Sequence, residues 1–218
     1  MASSETINPA GIEAKLRQAR QGDQEAWGDL LHRERERLRR MVALRLDRRL
    51  QGRVDPSDVI QEAYLEASQR LTEYLQNPSM PFSLWLRFIT GQRLLALHRH
   101  HLGAQRRDAG REVSLYRGTL PEATSASLAA QLLGKFTQPS QAAIRAEIKI
   151  KLQEALNSMD PIDREVLALR HFEQLYSSET AQVLGIGLAA VKKRHIRALK
   201  RLRTILSQMP GGLEALEP

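Results

Sequence analysis

Apolar positions recur along this chain every three to four residues and never alternate with polar ones over the length of a strand. That period lines one stripe of a helix, whereas a half-buried strand needs a period of two. Helices are predicted throughout. The first runs from about Ala10 to Gln21, where Gly22 ends it in a left-handed conformation and Asp23 caps the next. The second, Gln24 to about Leu50, places Trp27, Leu30, Leu31, Leu38, Met41 and Val42 on one face. Its other face carries Arg33, Arg35, Arg37, Arg39 and Arg40, relieved by Glu34 and Glu36. The third opens on Asp55 as N-cap and Pro56 at the first helical position, with Asp58 near the positive helix end. Val59, Ile60, Ala63, Tyr64, Ala67, Leu71, Tyr74 and Leu75 form its apolar stripe. Asn77 to Pro81 reads as a loop, and a fourth helix spans about Phe82 to His101.

The pattern lapses between Gly103 and Pro139, where Gly, Ser, Thr and Pro are scattered. This stretch reads as a linker with a short helix near Leu128 to Leu133. Beyond it, Ser140 caps a helix from Gln141 to Ser158, and Asp160-Pro161 caps another ending near Phe172. Ser177 caps a short helix ending at Gly185, a last helix runs from Leu188 to Ser207, and the tail from Pro210 onward is expected to fray. The expected fold class is all-α: two small helical domains, 10–102 and 140–207, joined by a flexible linker at 103–139.

Ser177 to Ile196 has the spacing of a helix-turn-helix. Ala181 is small enough for two helices to cross, Gly185 supplies the turn, and Val191 plugs the second helix onto the first. Leu184 and Ile186 fill the space between. The second helix then carries Lys192, Lys193, Arg194, Arg197, Lys200, Arg201 and Arg203 with no acid among them, whereas a solvated surface helix normally mixes signs. Ala189 and Ala190 at its start are small enough to approach base edges. A helix in the major groove of DNA fits this arrangement.

Composition agrees with that chemistry. Lys and Arg number 33 against 25 Asp and Glu over 218 residues, a net charge of +8 that favours an anionic partner. A bias toward arginine codons would give the same balance. There are no cysteines, which removes disulfides, thiolate metal sites and a cysteine nucleophile. No apolar run approaches the ~20 residues of a membrane span, and the polar N-terminus lacks a secretory pattern, so the cytoplasm is the simplest compartment.

Leu156 through Leu202, with Asp163-Arg164-Glu165-Val166-Leu167, Ala181, Leu184-Gly185-Ile186, Val191-Lys192 and Arg194, resembles region four of the bacterial sigma-70 family of RNA polymerase sigma factors. Within that family the chain looks like the small extracytoplasmic-function group. The resemblance implies that Ala189, Ala190, Lys192, Lys193, Arg194, Arg197 and Lys200 read a promoter −35 element. His195 departs from the family's usual apolar residue and is expected to be a satisfied core histidine.

Asp55 through Tyr64 resembles the region-two segment that docks on the clamp helices of the polymerase β′ subunit. Asp58, Gln61 and Glu62 share one helix face at i, i+3 and i+4 and are the expected docking residues. Phe82 through His101 resembles the helix that meets the −10 element, and Asn77 to Pro81 the loop that receives a flipped base. Phe82, Trp85 and Phe88 would offer aromatic surface, Arg87, Arg93 and Arg99 would hold the backbone, and Asn77, Met80 and Gln92 complete the expected −10 set. Trp85 is equally well spaced to be core, and Gln92 stands where the family commonly has asparagine. The resemblance implies RNA polymerase core and promoter DNA as partners, often an inhibitory anti-sigma factor, no membrane insertion, and no cofactor.

Three other readings compete. A transcriptional regulator with a C-terminal helix-turn-helix shares the DNA argument but has no need of a docking face or a melting helix. A helical adaptor without a DNA role leaves the all-basic last helix unexplained. An enzyme lacks a nucleophile motif, a phosphate-cradling glycine loop or paired carboxylates. His98 and His101 share a helix side but have no third ligand beside them, so no metal site is expected.

Overall fold

The computed structural model of the chain describes residues 9–102, 123–134 and 142–207. These residues are helical, with a single isolated β-bridge between Gln51 and Val54 and no strand. Helix α1 spans Pro9–Arg20, α2 Gln24–Arg45, α3 Pro56–Gln76 and α4 Phe82–Leu102. They are followed by α5 Ser125–Gly134, α6 Ala142–Asn157, α7 Pro161–Leu167, α8 Ser177–Leu184 and α9 Leu188–Ser207. A π-helical turn, Ala168–Phe172, continues α7 to the end expected for it. The expected cap at Ser140, the helix start at Gln141, the tail from Pro210 and most of the linker at 103–139 lie outside the described residues.

The aspartate caps form as the sequence indicates. Asp23 accepts from the amides of Glu25 and Ala26, Asp55 from Ser57 at 2.7 Å, and Asp160 from Ile162 at 2.8 Å. Each supplies an acceptor to helix-end amides that have no partner inside the helix. At α8 the cap falls one residue earlier than expected. Tyr176 is the N-cap, and its amide donates to the Glu179 carboxylate at 2.7 Å. Helix α2 ends at Arg45, not near Leu50, and the chain turns at once: Asp47 accepts from the Arg49 amide and donates its own to His98 Nε2.

The first four helices close on one core. Trp27, Leu30, Leu38, Met41 and Val42 of α2 meet Val59, Ile60, Ala63, Ala67 and Tyr74 of α3 and Phe82, Trp85, Leu86, Ile89 and Leu94 of α4. The polar tips of the amphipathic side chains are satisfied: Trp27 Nε1 donates to Ser68, Tyr64 to the Leu31 carbonyl, and Tyr74 to the Met80 carbonyl.

The C-terminal helices bury Leu152, Leu156, Leu167, Ala168, Phe172 and Ala198. Helix α5, longer than the short helix expected inside the linker, buries Leu128 and Ala129 in this second core. The two cores are not independent. Leu44 of α2 packs into the C-terminal core, and Leu84 of α4 packs with Val166, Leu169, Leu175, Val183 and Leu184. The two halves therefore rest on each other along α2 and α4.

Candidate nucleic-acid interface

The helix-turn-helix is built as its spacing requires. Gly185 ends α8 at φ 61° and ψ 35°, a left-handed conformation that costs a glycine little. There the amide of Ile186 closes on the Ala181 carbonyl at 3.1 Å. Val191 is fully buried and Leu184 nearly so, which fixes α9 against α8.

Along α9, Ala189, Lys192, Lys193 and Lys200 are exposed and Ala190 is half-buried. Arg194 and Arg197 are engaged. Arg194 Nη1 meets Asp163 at 2.6 Å and Asp160 at 3.3 Å, and Arg197 binds the buried Asp163 through Nε at 2.7 Å and Nη2 at 3.0 Å. Burial alone would raise the Asp163 carboxyl, but the bonds from Arg197 and Arg194 outweigh it and hold it below the ordinary aspartate value. The Arg197 side chain is still 53% exposed, so Asp163 sets its rotamer while part of the guanidinium faces water. His195 is satisfied, but it is not core: it is half-exposed, and its Nε2 pairs with that of His171 at 2.7 Å. Burial and Arg170 hold its pKa below the ordinary value.

On the N-terminal half the expected set divides. Asn77 and Arg99 are exposed, and Met80, Phe88, Gln92 and Arg93 are half-buried, Arg93 pairing with Glu66. A cleft of about 1020 Å³ opens beside the Asn77–Pro81 loop, lined among others by Ile12, Leu16, Tyr74, Met80, Phe82 and Tyr176. Three residues are not at the surface. Phe82 is buried, and Trp85 is 6% exposed and stacked on Tyr74 with ring centroids 4.4 Å apart. The aromatic surface these two offer goes to the core, because both lie on the stripe of α4 that faces α2 and α3. Arg87 is also buried, its Nε donating to Glu173 at 2.7 Å.

Glu173 was not a candidate from the sequence. It is 1% exposed and bridges Arg87 and Arg45, accepting from Arg45 Nε at 2.8 Å, and Arg45 also pairs with Glu165. Burial alone would raise the Glu173 carboxyl, but the two guanidiniums outweigh it and hold it at about 2. Around this centre Arg37 binds Glu179 at 2.9 Å, Ser83 binds the other oxygen of Glu179 at 2.9 Å, and Arg40 donates to the Gln174 side chain at 2.8 Å. Gln174 is held at φ 58°, a backbone conformation a non-glycine residue rarely adopts. Glu34, expected on the exposed arginine face, is buried. Its carboxyl is pushed up by desolvation, against the opposing pull of Arg37.

Asp58, Gln61 and Glu62 are exposed on α3, and Leu65, one turn further, is 67% exposed. Among the described residues no three His, Asp or Glu side chains form a group able to hold a metal ion. No described helix is long and apolar enough to cross a membrane.

Residues 155–204 match the family described as sigma-70, region 4. The ECF RNA polymerase sigma factor SigD of Mycobacterium tuberculosis is 28% identical over 200 residues, spanning 92% of this chain and 86% of SigD. RNA polymerase sigma factor NccH of Alcaligenes xylosoxydans xylosoxydans is 27% identical over 91% of this chain and 96% of its own length. In fold the chain is similar to CnrH, solved in complex with the cytosolic domain of CnrY, with a TM-score of 0.51 and 22% identity. That likeness covers 90% of this chain and 97% of the other.

Proposed function

The chain belongs to the extracytoplasmic-function group of the sigma-70 family, and from that membership we propose how its surfaces divide the work of transcription initiation. As a sigma factor it is a regulatory DNA-binding subunit of RNA polymerase. The helices up to α4 would form the unit that docks on polymerase and meets the −10 element, and α6 to α9 the unit that reads the −35 element. The observation that carries this reading is α9: a helix held by a left-handed glycine turn, with Ala189, Lys192, Lys193 and Lys200 in solvent.

In this reading the small Ala189 and Ala190 let α9 settle into the major groove of the −35 duplex. Lys192, Lys193 and Lys200 contact phosphates, and Arg194 and Arg197 reach the DNA from rotamers set by Asp163. Arg197 keeps Nη1 for a phosphate while Nε and Nη2 stay on the aspartate. Asn77 and Met80, at the rim of the cleft beside their loop, take a base flipped from the −10 strand, and Arg93, Arg99, Phe88 and Gln92 hold the strand nearby. Phe82 and Trp85 act as the floor beneath that loop, not as stacking surfaces. Asp58, Gln61 and Glu62 pair with basic positions on the β′ clamp helices.

The chain works in the cytoplasm with polymerase and needs no cofactor. An anti-sigma partner fits the fold shared with CnrH, which was solved in complex with the cytosolic domain of CnrY. The test is a footprint of the holoenzyme on a promoter. Lys192→Ala with Lys193→Ala should erase protection over the −35 element while leaving assembly with core intact. Unchanged protection there would remove α9 from this role.

A further inference from the structure

Four arginines of the N-terminal half converge on the contact between the halves: Arg37, Arg40 and Arg45 from α2 and Arg87 from α4. Across the contact they meet oxygen acceptors of Glu165, Glu173, Gln174 and Glu179. A guanidinium with its planar fork of donors suits carboxylate and phosphate alike. The acceptors here do not saturate the donors. Among the described residues, buried Arg37 Nε, Arg40 Nε and Arg87 Nη2 find no hydrogen-bond partner. Buried donors left unpaired are uncommon in a contact built only to hold two halves together. A void of about 10 Å³ between Glu34, Arg37, Arg87 and Glu173 shows the same incomplete fit.

We propose that Arg37, Arg40, Arg45 and Arg87 form a phosphate-binding surface for duplex DNA, and that the carboxylates of Glu173 and Glu179 occupy it in this closed arrangement. The proposal rests on the reading of the chain as a promoter-binding subunit. It also accounts for Arg87, which the resemblance of Phe82 through His101 assigns to the DNA backbone and the structure places against Glu173. The same contact draws Leu84 into the C-terminal apolar cluster, so the halves must part before the row meets DNA. Arg33, Arg35 and Arg39, exposed along the same helix, extend the basic field around it. Separation of the halves thus does two things at once: it frees the −10 and −35 units to take different spacings, and it uncovers a third DNA contact between them.

The experiment measures binding of the full chain, without polymerase, to a fluorescent duplex of arbitrary sequence over a range of salt. Glu173→Gln with Glu179→Gln removes the covering charges. This variant should bind at least about tenfold more tightly than the parent near 0.1 M salt, with a salt slope steeper by about 2–4, at ~0.9 per phosphate neutralised. Adding Arg37→Ser and Arg40→Ser should return affinity and slope toward the parent. Leu84→Ala loosens the same contact from its apolar side with every charge kept, and should give a gain of the same direction. This second route decides the question if the double Gln variant is poorly folded. No gain in either variant, or a gain that survives loss of Arg37 and Arg40, would overturn the proposal. Initiation by the parent with core polymerase is assayed alongside. Loss of initiation would count against the sigma reading, whereas an unchanged duplex affinity with normal initiation would count only against the masked surface.

Discussion

Truncation of Trp85 separates a packing role from a DNA role. The indole is 6% exposed, stacked on Tyr74 at 4.4 Å and tilted against Phe82 at 5.9 Å between ring centroids, inside the core of α2, α3 and α4. Trp85→Ala therefore removes a large buried ring from a site enclosed by three helices, which costs about 3–5 kcal/mol. A domain holds only ~5–15 kcal/mol in total. For a chain of this length each kcal/mol lowers the melting midpoint by about 2–4 °C, so the expected fall is roughly 6–20 °C. The assay pairs that midpoint with initiation rates on duplex promoter and on a template already unpaired across the −10 region. Because the whole N-terminal unit is weakened, both templates should lose activity to the same degree. Trp85→Phe, which keeps an aromatic ring in the site, should recover most of both the midpoint and the rate. The reasoning is refuted if Trp85→Ala melts where the parent does and loses initiation on duplex alone. The ring would then be supporting the open strand.

Gln61→Ala with Glu62→Lys changes only exposed positions of α3, so helix content should be unchanged while co-elution with core polymerase is lost; normal co-elution would clear this face of the docking role. Acid stability follows from the depressed carboxyls. Glu173 is held at about 2 against an ordinary 4.5, and Asp163 lies below 3.8, so the unfolded chain binds more protons than the folded one in this range. Their contribution is complete above about pH 4.5 and is lost as the pH falls toward 2, which thermal unfolding across that interval should show. Asp163→Asn should flatten this acid limb and loosen Arg194 and Arg197. A limb as steep as the parent's would mean that the aspartate is not held by them.

The elements were legible because their signals are local. Asp23, Asp55 and Asp160 cap helices within three residues of themselves, and Gly185 takes the one conformation its spacing demands. The apolar stripes of α2 and α3 reach the core because periodicity alone fixes a helix face. The contact between the halves was hidden for the opposite reason. Arg45 and Glu173 are 128 residues apart and Arg87 and Glu173 are 86 apart, and neither spacing leaves a trace in a local pattern. An arginine on a helix beside aromatic residues reads as a backbone contact unless its partner is known. Glu34 misled similarly: one acid among arginines looks like surface relief, yet it is buried beside Arg37. The helix α5 showed as a faint apolar run, Leu128 to Leu133, and only tertiary packing on Leu44 and Leu152 explains its place in the core.

As a sigma factor the chain should confer promoter-specific initiation on a polymerase that lacks it. Run-off transcription from a linear promoter fragment with purified core polymerase measures this directly. Discrete transcripts are expected only when the chain is present, and they should be lost when Lys192 and Lys193 or Gln61 and Glu62 are substituted. Absence of transcripts from core plus folded chain on promoters drawn from its own genome, with DNA binding intact, would contradict it and leave a helix-turn-helix regulator in its place.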